Sequence, residues 1–267
     1  IDHPTDRNDP YCVVGADWFP FSKGGSFSPY FGETLLHLKW SKHGKEVRCV
    51  EGSVIRNPEF YFRRGVTWPR RPYLVGAFSS VQKGQVFGDS GPTMFVGDEV
   101  NLSSATAILN SDPFIGLLHL LTARGGVETE QTLKYEVGLV KQIPLPDITP
   151  CRGALEKLAR QAASAARFEA TANIRSHYFQ LPAVLQSEGD TLSERIESWQ
   201  DSIAKHRKTL VEKQEDINEI AFDLYGLGPE DRTGLNMSLY GDEEALKIDE
   251  GKSEVRAFQG KIDPDAK

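Results

Sequence analysis

The stretch TLSERIESWQDSIAKHRKTLVEKQEDINEIAFDLYGLG, Thr191–Gly228, decides the architecture. Leu192, Ile196, Trp199, Ile203, His206, Leu210, Lys213, Ile217, Ile220 and Leu224 follow one another at alternating steps of 4 and 3. That is a heptad seam, the apolar stripe of a helix that packs along a partner. Gly226 and Gly228-Pro229 end it. Upstream, Leu155, Leu158, Ala162, Ala165, Glu169 and Ala172 recur at the same steps, and Ser187–Thr191 reads as a turn between the two runs. The expectation is a long antiparallel helical hairpin, with small alanine faces against large Leu, Ile and Trp ones. His206 and Lys213 sit on the seam and read as register features rather than ligands. Asp216, Glu219 and Asp223 have helical spacing and read as a solvated acidic face, since a metal site needs ligands converging from elsewhere.

Working outward, Pro144, Pro146 and Pro150 in IPLPDITPCRG (143–153) interrupt any regular element. Residues 1–150 differ in kind, being rich in Gly, Pro and aromatics. Thr34–Trp40, Tyr73–Phe78, Gln85–Phe87 and Thr93–Val96 read as short strands. Pro113–Ala123 reads as a helix, with Ser111 or Asp112 as its N-cap. The fold class is therefore α+β. A mixed α/β domain over 1–150 precedes the hairpin at 151–228, and an acidic, weakly periodic segment fills 229–267.

Composition supports folding: 39% of the 267 residues are hydrophobic and 10% aromatic. No apolar run of about 18 residues occurs, so no membrane helix is expected. The polar opening IDHPTDRNDPY does not resemble a signal peptide. Cys12, Cys49 and Cys151 are odd in number and far apart, which suits a reducing cytoplasm better than a disulfide framework or a zinc cluster.

The formal net charge of −7 argues against nucleic acid until it is located. Residues 213–267 hold 7 basic and 14 acidic side chains, which is the whole excess. Residues 36–85 hold 10 basic ones against Glu46, Glu51 and Glu59. Local fields govern contacts beyond a Debye length of about 8 Å, so this basic island matters more than the total.

Within the island, RNPEFYFRRGVTWPRRP (56–72) carries five arginines and four aromatics. Arginine suits phosphate oxygens and guanine edges because its guanidinium is planar and bidentate. Aromatics between arginines can stack on bases or pack beneath the guanidinium groups. The competing reading is a solvated strand edge over core aromatics. Clustered arginines with no acid after Glu59 favour an anionic partner. Two shorter motifs carry less. GDSGP (88–92) has the look of a serine-protease nucleophile loop, but no His stands in the matching context. It reads as a tight turn in which Gly88 and Gly91 supply positive φ. NPEF (57–60) looks like the NPP(Y/F) tetrad of amino-methyltransferases with Glu59 in place of the second Pro. It reads as a Pro-directed turn.

Taken in order, WSKHGKE (40–46), IRNPEFYFRRGVTW (55–68), VFGDSGP (86–92), AILNS (107–111), YEVGLVKQIP (135–144) and INEIAFDLYGL (217–227) resemble large adenine-specific DNA methyltransferases. More narrowly, they are similar to the C-terminal region of BREX phage-defence methyltransferases (PglX-type) and type IIG restriction–modification enzymes. The resemblance implies a target-recognition domain for double-stranded DNA, followed by supporting helices that meet partner subunits or the DNA backbone. It also implies a truncated polypeptide. The N-terminal methyltransferase domain, its S-adenosylmethionine loop and its NPPY-type tetrad are missing, so the chain alone is expected to transfer no methyl group. The expected DNA contacts are Arg56, Arg63, Arg64, Arg70 and Arg71, with Lys39, Lys42, Lys45 and Lys83 on phosphates. Tyr61, Trp68 and Tyr73 would support or stack. Two other readings remain. One is a protein-interaction module that docks a defence-system subunit or an acidic protein. The other is a hydrolase using Ser90, which lacks an identifiable base.

Overall fold

The computed structural model describes residues 17–23, 28–70, 77–95, 99–122 and 134–240. The seam forms one helix, α7 (Leu192–Tyr225), 34 residues and about 50 Å long. Thr191 starts it with a reciprocal cap. Its Oγ1 accepts from the Glu194 N–H at 3.3 Å, and its own N–H donates to the Glu194 carboxylate at 3.0 Å. These backbone donors hold the Glu194 carboxyl below its usual range. Gly226, at φ 65°, closes the other end.

The partner is α5 (Arg152–Arg167), antiparallel to α7. Leu155, Ala159, Ala162 and Ala165 are buried against Leu210, Ile217 and Ala221. Small side chains on one helix thus admit large ones from the other, at the close axial approach this packing needs. The α5 helix ends at Arg167, and Phe168–Ala172 is a 3₁₀ turn, so Glu169 and Ala172 leave the seam. The link to α7 is also longer than a turn: it includes the 3₁₀ segment and the short α6 (Ala183–Gln186). Phe168 fixes it by stacking on Trp199 (4.7 Å between centroids) and on His206 (3.8 Å). His206 is therefore a seam packing residue, as expected. Lys213 pairs with Asp216 at 2.7 Å.

Two helices of more than ten residues escape the sequence reading. The first, α2 (Glu99–Leu109), precedes the expected helix α3 (Asp112–Thr122) and packs against α5. The second, α8 (Pro229–Tyr240), lies in the segment read as weakly periodic. It packs on α3 where Gly116 leaves room, since a Cβ there would meet the Leu235 side chain at 2.5 Å.

A buried polar network joins α7 to the α2–α3 corner. Asn218 donates to Asp112 Oδ2 at 2.8 Å and accepts from the Asp112 N–H at 2.9 Å. Gln214 donates to Asn218 Oδ1 and to the Asn110 carbonyl. The Tyr240 hydroxyl donates to Asp112 Oδ1 at 2.9 Å, and the Tyr30 hydroxyl to Gln214 Oε1 at 2.5 Å. Asn110 pairs with both backbone groups of Phe78. Burial, with the Asp112 charge second, pushes the Tyr30 phenol up. Tyr30 itself holds φ 66°, a conformation that costs a non-glycine residue on the order of 1–3 kcal/mol and persists only where its surroundings fix it.

Two small sheets complete the mixed part. The first has the order β2-β1-β5, with β1 (Trp18–Ser22), β2 (His37–Lys39) and β5 (Val86–Phe87). Phe19 faces Leu38 across β1–β2, antiparallel, and Phe21 faces Val86 across β1–β5, parallel. The second is antiparallel, ordered β4-β3-β6, with β3 (Gly65–Thr67), β4 (Ser79–Val81) and β6 (Thr93–Met94). The expected strand Thr34–Trp40 is only three residues long, and residues 77–78 are irregular. Residues 71–76 and 96–98 lie outside the described part, as does Ala123. Beneath the first sheet Phe19, Trp40, Tyr61 and Val86 form an aromatic core. Beneath the second, Val66, Trp68 and Phe78 join Phe114, Leu118 and Tyr135.

Candidate nucleic-acid interface

The cations of the basic island stand over these two aromatic cores. The Trp40 ring is buried and meets Tyr61 edge-on at 4.9 Å. Above it runs a turn, Ser41–Gly44, leading into α1 (Lys45–Arg48). Gly44 is required there, because a Cβ would lie 2.5 Å from the Trp40 ring. The turn exposes Lys42 and Lys45, while Lys39 on β2 is held by Glu46 at 3.0 Å. That hydrogen bond raises the Lys39 ammonium above its ordinary value. Arg48, part of the basic count but not an expected contact, lies over Trp40 at 5.9 Å.

The second group surrounds Tyr61–Arg64. The Phe62 N–H donates to the Gln85 carbonyl (2.8 Å), and the Gly84 N–H donates to the Phe62 carbonyl (3.1 Å). This pairing brings exposed Lys83 beside Arg63 and Arg64, which are also exposed. Arg63 lies over the Phe60 ring at 5.1 Å, and Phe60 stacks on Phe95 at 5.3 Å. Among the described residues Lys42, Lys45, Arg63 and Lys83 have no carboxylate partner.

The third group differs. Arg70 donates from Nε to both oxygens of Glu136 at 3.0 Å, and from Nη1 to Asp89 Oδ2 at 2.6 Å. These carboxylates raise its pKa further. Arg56 Nε lies 3.6 Å from the other oxygen of Asp89. The expectation that no acid answers the arginines is therefore corrected. The acids come from later in the chain, one of them from GDSGP. In that turn the Gly91 N–H donates to the Gly88 carbonyl, as expected. Neither Gly88 nor Gly91 adopts positive φ, however; Gly88 is needed because a Cβ would lie 2.8 Å from the Phe21 ring. Positive φ is instead supplied next door by Gly84, at 91°. The Ser90 carbonyl accepts the Arg70 N–H, a structural use of the motif.

Tyr61 and Trp68 are both buried, and Trp68 Nε1 donates to the Tyr135 carbonyl at 2.8 Å. Of the two roles expected for these rings, support from below is the one their position allows. The aromatic at the surface is Phe60. Its i, i+3 spacing to Arg63 is the sequence signal for this contact, whereas Tyr61 next to it is buried. Arg71 and Tyr73 lie outside the described residues. Asn57, at φ 48°, heads an exposed 3₁₀ turn, Pro58–Phe60, and Glu59 is exposed beside it. Both residues are solvent-exposed, whereas a flipped base requires an enclosed pocket.

Among the described residues no group of three or more His, Cys, Asp or Glu side chains is placed to hold a metal ion. No described helix is long and apolar enough to cross a membrane. No family model matches the chain. Over 227 residues, 80% of this chain, the sequence is 25% identical to the adenine-specific methyltransferase PglX of Lacticaseibacillus casei (strain Zhang). It spans 18% of that protein's length. The chain is thus a distant relative of an adenine-specific methyltransferase and corresponds to less than a fifth of it.

Proposed function

We propose that this chain is the DNA-reading part of an adenine-specific DNA methyltransferase in a BREX-type phage-defence or restriction system. The observation that carries the reading is the set Lys42, Lys45, Arg63 and Lys83, exposed and with no carboxylate partner among the described residues, beside the core of Trp40 and Tyr61. Rigid rings below and cations above suit a surface that meets a polyanion, because phosphate contacts need charge held in fixed positions. Arg63 and Arg64 are the candidates for base edges. Arg56 and Arg70, already engaged by Asp89 and Glu136, hold the loop. In this reading S-adenosylmethionine binding and the transfer step lie elsewhere, which fits the chain's 18% share of the relative's length. Methyl transfer thus belongs to a separate domain of a longer polypeptide.

The test is a titration of this chain against duplex DNA bearing the host methylation site, at graded salt. Arg63→Ala/Arg64→Ala should weaken binding and reduce the salt slope by about two. Unchanged affinity and slope would remove the arginines from the interface. Displacement by an acidic protein but not by DNA would favour a protein-docking surface instead.

A further inference from the structure

Beside the cationic face, a cleft of about 260 Å³ opens between the Tyr30–Leu35 segment and α5. Its sheet side is Ser80, Gln82 and Gln85. Its helical side is Arg160, Ser164 and Arg167 on α5, with His177 and Tyr178 from the turn that follows. The volume suits one small ligand group rather than a duplex. The Arg167 guanidinium lies over the Tyr178 ring at 5.1 Å and has no carboxylate partner among the described residues. Tyr178 is itself held edge-on by Phe31 at 5.1 Å, so the cation rests on a fixed platform. Arg160 is oriented by Glu156 through Nε and Nη2, both on one carboxylate oxygen. Gln85 is buried and its Oε1 accepts from Thr34, while Glu33 accepts from Asn173 at 3.2 Å. Guanidinium donors, side-chain amides, aromatic edges and one carboxylate thus share a single cleft. Together they complement a group that joins an acceptor-only phosphate to a ring bearing an exocyclic amine.

We propose that this cleft binds a single nucleotide unit, with Arg167 as its phosphate ligand and the amides and Glu33 at the base. Lys83 follows Gln82 of the rim directly, so the cleft adjoins the cationic face. Two sources share the chemistry: a free nucleoside monophosphate, and one nucleotide of the strand bound on that face. The second source rests on the function proposed above; the first does not.

The experiment titrates the whole chain with inorganic phosphate, with deoxyadenosine and deoxycytidine monophosphates, and with single- and double-stranded oligonucleotides. Arg167→Ala and Arg167→Lys are compared with Arg63→Ala/Arg64→Ala, with folding checked by circular dichroism. Monophosphate binding that falls about tenfold in Arg167→Ala, is partly restored in Arg167→Lys and is untouched by Arg63→Ala/Arg64→Ala supports a free nucleotide site. Loss of oligonucleotide affinity in Arg167→Ala, with the salt slope lowered by about one, supports a nucleotide of a bound strand. Arg167→Ala without effect on every probe overturns the cleft. Oligonucleotide binding that ignores Arg63 and Arg64 but needs Arg167 overturns the face and keeps the cleft.

Discussion

The corner between α2 and α3 and the face around Arg63 both concentrate polar groups, and they treat them in opposite ways. At the corner Asp112, Asn218 and Asn110 are buried, and each finds partners among amides, hydroxyls and backbone. On the face, polar heads stay outside and only their aromatic supports are buried. Burial makes a missing partner costly, so the corner fixes one arrangement of the helices. Exposure keeps a charge available, so the face can meet something outside the molecule.

That contrast breaks if substitutions in the two places behave alike. The largest effect is expected from Trp40→Ala, which empties the core beneath the face. It should cost about 4 kcal/mol in a denaturant titration and abolish DNA binding with the fold. Asn218→Ala leaves buried Asp112 short of a donor and should cost about 3 kcal/mol, without altering DNA affinity under conditions where the chain stays folded. His119 sharpens the buried side further. Its Nδ1 is buried and lacks a partner among the described residues, and burial lowers its pKa. The fold therefore favours the neutral imidazole, and below about pH 6.5 unfolding takes up a proton. That stability is complete above about pH 6.5 and is lost as the pH falls below it. His119→Leu should shrink the drop in melting midpoint between neutral and mildly acid buffer. Thr191→Ala, which removes the α7 cap, should cost about 1 kcal/mol. Arg63→Ala/Arg64→Ala should leave the melting midpoint where it is. A large fall there would make the face structural and remove the contrast.

The hairpin was legible because a heptad seam repeats one simple rule over nine steps, from Leu192 to Leu224. Its details were not, because they depend on distant partners. Glu169 fits the α5 spacing, yet it pairs with Arg207 at 2.9 Å after the helix has tightened at Phe168. The α2 helix is not marked in the sequence because nearly all of Leu102–Leu109 is buried, so it lacks the one-sided pattern that marks a surface helix. The α8 helix was missed because its buried residues, Asn236 and Leu239, are few and one is polar. The basic island was plain in a local count of charge. That count could not separate Arg63 from Arg70, because the acids that engage Arg70 lie 19 and 66 residues away. The aromatics beside the arginines were recognised as important, but sequence alone could not show that Tyr61 and Trp68 point inward and Phe60 outward.

The bond between Tyr30 and Gln214 closes a loop of 184 residues. At ribosomal rates of about 5–20 residues per second, the two partners leave the synthesis machinery on the order of ten seconds or more apart. Tyr30 belongs to the same core as Ile108, Leu155 and Ile217, so that core cannot close until α7 has been made. The cationic face rests on Phe19, Trp40, Tyr61 and Val86, all made by residue 87, whereas Tyr30 and Ile108 emerge early and wait for α7. During that interval their apolar surface lacks its α7 partners, and a nascent chain is at its most vulnerable to aggregation and to chaperone capture.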